Sequence, residues 1–168
     1  MDFYETQNRF STLLPERGYI LDFGCGSGRD TKYFLEQGFY VDATDGSEEM
    51  CHIASNYTGI QVRRLLFEEL DENKKYEGIW ACSSILHLPK NELKAVFMKM
   101  FKALKEDGII YTSFKYGDFE GERNGRYFTD FTEKTFEEFV DEIDNLQLKE
   151  EWITGDVRPV SYTHLRAH

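Results

Sequence analysis

Two hydrophobic rhythms alternate along this chain. Short apolar runs predict strands, and stretches in which apolar positions return every three or four residues predict helices. The runs are "YILDF" (19–23), "FYVDATD" (39–45), "IQVRRL" (60–65), "GIWACS" (78–83) and "IIYTSF" (109–114), followed by the alternating "LQLKEEWIT" (146–154). The 78–83 run carries few charges, which predicts a central strand. A helix over 2–14 presents Phe3, Phe10, Leu13 and Leu14 and stops at Pro15 and Gly18. The next begins at Arg29, carries Tyr33, Phe34 and Leu35, and ends at Gly38. Ser47 caps a third, with Glu48 and Glu49 in its first turn and Met50, Ile53, Ala54 and Tyr57 as the expected buried stripe. Pro89 opens a fourth, in which Leu93, Val96, Phe97, Met100, Phe101 and Leu104 recur before Gly108 ends it. Residues 115–130 read as a loop. Thr132 then caps a helix with Phe136, Phe139, Val140 and Ile143 inward.

Strand and helix alternate throughout, so the fold expected is α/β: a Rossmann-like, mostly parallel sheet with helices on both faces. Ligands of such sheets bind beyond the C-terminal ends of the strands, where the strand order reverses. The loop after the first strand is where that rule places a site.

Composition narrows the ligand. The chain has 168 residues and a net charge of −11, which repels phosphate backbones and argues against a nucleic-acid partner. The short basic run Gln61-Val62-Arg63-Arg64 does not offset it. Cys25, Cys51 and Cys82 form no CxxC pair, so they read as reduced thiols of a cytoplasmic protein, with neither disulfide nor zinc site. No apolar run reaches membrane-spanning length, and the N-terminal "MDFYETQNRF" lacks the features of a signal peptide.

In "ILDFGCGSGRDTKYF" (20–34), Gly24, Gly26 and Gly28 fall within five positions. Glycines this dense between strand and helix allow a ligand to approach the backbone. A dinucleotide fingerprint would place glycine at 29, where this chain has Arg, and a P-loop would need G-K-[ST], which is absent. Asp22 repels phosphate and welcomes an ammonium or a sulfonium. Asp45 ends the second strand, where a ribose-binding acid belongs. A ribose, a cationic group and no diphosphate together describe S-adenosylmethionine.

At this point the chain resembles the class I S-adenosylmethionine-dependent methyltransferases. "ILDFGCGSG" is similar to their first motif, "VDATDGSEEM" to the second, and "YEGIWACSSILHL" (76–88) to the fourth-strand motif. "GSGRD", the "HL" after the fourth strand, "YTSFKYG" and "GRYFTD" resemble the tellurite-resistance-like group of small methyltransferases. The resemblance implies that Gly24, Gly26 and Gly28 line the methionine part, with Cys25 a small residue of the same cofactor-binding loop, Asp22 near the ammonium and Arg29 near the carboxylate. Asp45 would hold the ribose, Gly46, Ser47 and Met50 would flank the adenosine, Phe67 would offer its backbone to the adenine, and Ala81 would lie under the methionine. Leu66 stands where relatives often carry an Asp, and Glu77 where they carry a commoner Asp of structural role.

His87, after the fourth strand, is the candidate catalytic base, and no metal ligand set is apparent. Lys115, Tyr116, Arg126 and Tyr127 are candidates to shape the acceptor pocket. The expected activity is methyl transfer to a small-molecule acceptor. The alternatives are a nicotinamide-dependent oxidoreductase and an inactive cofactor-binding fragment. Residues 1–155 form the expected domain. The tail 156–168 ends in "VSYTHLRAH", which resembles translated adapter sequence rather than a family terminus, so the sheet is expected to lack its last strand and the chain to be a fragment at both ends.

Overall fold

The structure, a computed structural model, describes residues 4–154 and 160–167, with the backbone alone for 152–154 and 160–167. Strands β1 (Tyr19–Phe23), β2 (Tyr40–Asp45), β3 (Arg63–Arg64), β4 (Tyr76–Ala81) and β5 (Leu104–Lys115) pair in parallel in the order β3-β2-β1-β4-β5. The order reverses between β1 and β4, so the crevice lies at the C-terminal ends of these two strands. Strand β4 is central, as its low charge predicts.

Helices α1 (Glu5–Ser11), α2 (Arg29–Glu36) and α3 (Glu48–Thr58) cover one face of the sheet. There Phe10 and Phe34 pack on Ile20, Trp80, Ile109 and Tyr111. Helices α4 (Lys90–Ala103) and α5 (Glu133–Asp141) cover the other, where Leu93, Phe97, Met100, Phe136 and Phe139 pack on Leu21, Phe23, Ile79, Ile110 and Phe114. Thr132 caps α5, its hydroxyl accepting from the Thr135 N–H. Glu77 is structural, as expected: its carboxylate accepts the Tyr19 N–H at 2.5 Å and the Lys105 ammonium at 2.8 Å. Among the described residues, no helix is long and apolar enough to cross a membrane.

Four expectations are corrected. The sheet does not lack its last strand, because β9 (Val160–Ala167) runs antiparallel to β5 and carries β8 (Leu146–Thr154) on its outer side. Residues 115–130 are not plain loop but hold a hairpin, β6 (Glu120–Arg123) and β7 (Arg126–Thr129). Its turn, Asn124-Gly125, has positive φ at both residues, the geometry that matches the twist of a two-residue hairpin. Of the expected α3 stripe only Ala54 is buried, and it packs with Cys51, while Met50, Ile53 and Tyr57 are exposed. The glycine loop packs so closely on α3 that only small side chains fit there. Finally, the strand over 60–65 shrinks to Arg63–Arg64. Val62 instead gives its N–H to the Ser55 hydroxyl, which ties this segment to α3.

Candidate cofactor site

The loop leaving β1 is held open by backbone bonds. The N–H groups of Gly24 and Cys25 both donate to the Thr44 carbonyl at the end of β2, at 3.0 and 2.8 Å. Gly24, Gly26 and Gly28 have φ of +81°, +56° and +93°, a region that side chains rarely enter. Their roles differ. A Cβ on Gly24 would lie 2.6 Å from Ser84 Cβ and 3.2 Å from the Phe67 ring. A Cβ on Gly28 would lie 2.8 Å from Thr58 Cγ2 and 3.2 Å from Ala54 Cβ. A Cβ on Gly26 would meet nothing within 4 Å. Gly24 and Gly28 are therefore packing glycines, and Gly26 leaves open space at the crevice.

Asp45 closes the other side. Its Oδ2 accepts the Gly26 N–H and its Oδ1 the Ser47 N–H, both at 2.9 Å. Each oxygen keeps a further lone pair for a ligand hydroxyl. Gly46 sits against Leu66, Ser47 caps α3 through the Met50 N–H, and Met50 is exposed beside it. Phe67 packs edge-on to Phe23, and Ala81 is buried at the end of β4. The structure thus brings Gly24, Gly26, Asp45, Gly46, Ser47, Phe67 and Ala81 to the C-terminal ends of β1, β2 and β4. It does not bring Arg29 there, since that guanidinium bonds Asp30 at 3.0 Å and is 65% exposed.

Beneath the loop, on the α2 face, lies a polar cluster that pattern reading missed. Asp22 is buried and accepts the Thr31 hydroxyl at 2.5 Å. Desolvation, with Asp30 nearby, pushes the Asp22 carboxyl up to about 8. Asp30 itself accepts from Gln7 Nε2 at 2.8 Å and Trp80 Nε1 at 2.9 Å. The only local signal for these pairs is an acid in the first turn of a helix, which ordinarily marks no more than the dipole. Burial, followed by the charges of Asp22 and Asp45, raises the Cys25 thiol and so disfavours its thiolate form. Burial likewise pushes the Cys82 thiol up to about 12.

The raised Asp22 value makes a prediction about the free protein. An unfolded Asp titrates near about 3.9, so between that pH and about 8 the folded state holds more protons than the unfolded one. This contribution is fully present below the unfolded value and is lost as pH rises through the folded one. Its slope is up to about 1.4 kcal/mol per pH unit. Urea denaturation of the unliganded protein between these limits should show the fall, and Asp22→Asn should flatten it. Parallel profiles for the two proteins would remove the titration from Asp22.

His87 lies just past β4, in the single helical turn Ile85–His87. Its Nδ1 is 2.9 Å from the Tyr127 carbonyl, and its ring meets Phe128 edge-on at 4.7 Å. Lys115 Nζ and the Arg123 guanidinium both lie over the Phe128 ring, and Arg123 forms a bidentate pair with Asp130.

The sequence also matches a family model, described as a methyltransferase domain, over residues 20–108, which span this crevice. The chain belongs to the methyltransferase domain family. Relatives of this methyltransferase domain include the YqeM protein of Bacillus subtilis (strain 168), named provisionally as a methyltransferase. It is 33% identical over 116 residues, covering 62% of this chain and 47% of its own. A malonyl-[acyl-carrier protein] O-methyltransferase of Acetivibrio thermocellus is 28% identical over 96 residues, covering 54% of this chain and 33% of its own. The chain thus spans about half the length, or less, of these curated relatives. Among solved structures, 1,6-didemethyltoxoflavin-N1-methyltransferase of Burkholderia thailandensis superposes with a TM-score of 0.82 at 23% identity. The match covers 95% of this chain and 75% of that one, which was crystallised with 1,6-didemethyltoxoflavin and S-adenosylhomocysteine. A TehB-like S-adenosylmethionine-dependent methyltransferase of Corynebacterium glutamicum gives 0.76 at 18% identity, covering 99% and 89%. At these identities the likeness is one of fold.

Proposed function

We propose that this methyltransferase domain binds S-adenosylmethionine in the crevice between β1 and β4 and transfers its methyl group to a small-molecule acceptor. The observation that carries the reading is the pairing of Gly26 with Asp45. The glycine leaves the crevice open, and the carboxylate beside it keeps lone pairs for two ribose hydroxyls. When bound, S-adenosylmethionine supplies an electrophilic methyl group on a sulfonium. The chain's own part is to hold and orient. Asp22 would face the ammonium, Phe67 and Leu66 the adenine, and Ala81 the methionine. The Asp45 carboxylate beside the open glycine favours ribose hydroxyls over a diphosphate. Together with Arg29 in place of a third fingerprint glycine, this speaks against a nicotinamide cofactor.

Within the family we place the chain in the tellurite-resistance-like group, on "GSGRD", "YTSFKYG" and "GRYFTD". Oxyanions, thiols and carboxylates are the acceptor classes to test first. Its charge supports a partner other than nucleic acid, and its three free cysteines support the cytoplasm. Calorimetric titration with S-adenosylhomocysteine and with NADH decides the cofactor, the former expected to bind alone. Binding of NADH alone would overturn the reading. Binding of S-adenosylhomocysteine without methyl release to any acceptor class would mark an inactive binding module.

A further inference from the structure

We infer that the β6–β7 hairpin is a positioning element that sets the tautomer of His87, so that Nε2 carries the lone pair and takes a proton from the acceptor. This rests on the proposed methyl transfer and names what that reading leaves open. A carbonyl oxygen can only accept, so the 2.9 Å contact between His87 Nδ1 and the Tyr127 carbonyl places the proton on Nδ1. The neutral ring then has its free lone pair on Nε2, the arrangement a general base needs.

The hairpin is fastened where it must be to hold that carbonyl still. The buried Thr129 hydroxyl donates to the Leu88 carbonyl at 2.6 Å, one residue past His87. Glu120 accepts the Lys90 N–H at 3.0 Å and the Tyr127 hydroxyl at 2.8 Å. The Phe128 ring meets the imidazole edge-on, and the Arg123 guanidinium, paired with Asp130, lies over the Phe128 ring. Each strand of the hairpin thus reaches the turn that carries His87 or the residues just after it. The acceptor this arrangement serves is a protic one, a thiol, a phenol or an ammonium, whose departing proton moves to Nε2 and leaves the nucleophile with its electron pair.

Long-range proton–nitrogen correlation spectra of the 15N-labelled protein test this directly. His87 is identified by the signals lost in His87→Gln. The expected result is a proton on Nδ1 and a bare Nε2. The reverse tautomer in the wild-type protein would overturn the inference. A second variant replaces residues 118–129 by Gly-Gly. Its ends stay together because the Gly117 N–H donates to the Phe131 carbonyl and the Phe131 N–H to the Lys115 carbonyl, both at 3.1 Å. In it the ring should move toward the Nε2–H form that a solvated imidazole prefers, with S-adenosylhomocysteine affinity kept within about twofold. If that variant does not fold, Thr129→Val should shift the tautomer and Thr129→Ser should restore it. A tautomer indifferent to these changes would also overturn the positioning role. Failure of the wild-type protein to bind S-adenosylhomocysteine is a separate outcome, and it counts against the methyl-transfer reading alone.

Discussion

Replacing Asp45 by alanine is expected to weaken S-adenosylhomocysteine binding by more than ~1.5 kcal/mol, about tenfold or more. Two losses combine. The ribose hydroxyls lose charge-assisted acceptors, and the Gly26 and Ser47 N–H groups lose the carboxylate that fixes them. The second loss loosens the loop and the start of α3 together, because Ser47 is also the cap of that helix. Asp45→Asn separates the two contributions. Its single carbonyl oxygen can accept from one of the backbone donors, while its amide would face the other. It should therefore recover only part of the affinity. Calorimetry on the three proteins measures this, and unchanged affinity in Asp45→Ala would place the ribose elsewhere.

The second large effect is a contrast between neighbouring glycines. Gly28→Ala should destabilise the unliganded protein by about 3 kcal/mol, from the left-handed backbone and from overlap with α3. The overlap is with Thr58 Cγ2 and the Ala54 backbone and side chain, which are held in a helix and cannot step aside. Gly26→Ala incurs only the backbone cost, since nothing lies near its Cβ, so its stability should fall by only about 1 kcal/mol. Its methyl group would instead occupy the crevice and abolish cofactor binding. Urea denaturation and calorimetry of both variants give the two readouts. Equal loss of stability in both would mean that Gly28 does not pack on α3 as described.

The same glycines mark where sequence reading succeeds and where it stops. Strands β1 and β8 fall on the residues their apolar patterns indicate, because the strand rhythm is local. Asp45 is legible for the same reason: strand end, glycine and helix cap follow one another in sequence. The stripe on α3 is misread because helical spacing shows which residues share a face, not which face the sheet takes. Here the close approach of Gly28 decides in favour of Ala54 and Cys51. The hairpin was legible in principle, since Asn124-Gly125 is a strong turn signal, but Glu120–Arg123 and Arg126–Thr129 are too polar to read as strands. The bonds from Gln7 and Trp80 to Asp30 join residues 23 and 50 positions apart, and no local rhythm encodes them.

Those last bonds bear on how the molecule opens. Helix α1 has seven residues, too few to persist alone in water. It is held by Phe10, buried among Phe34, Trp80 and Tyr111, and by the Gln7–Asp30 bond. Asp30 belongs at once to the helix that follows the glycine loop and, through Trp80, to the central strand. Amide protons of α1 should therefore exchange with solvent at rates close to those of α2, rather than at the rates of a fraying terminus. A ligand seated on the loop would slow exchange in both helices together.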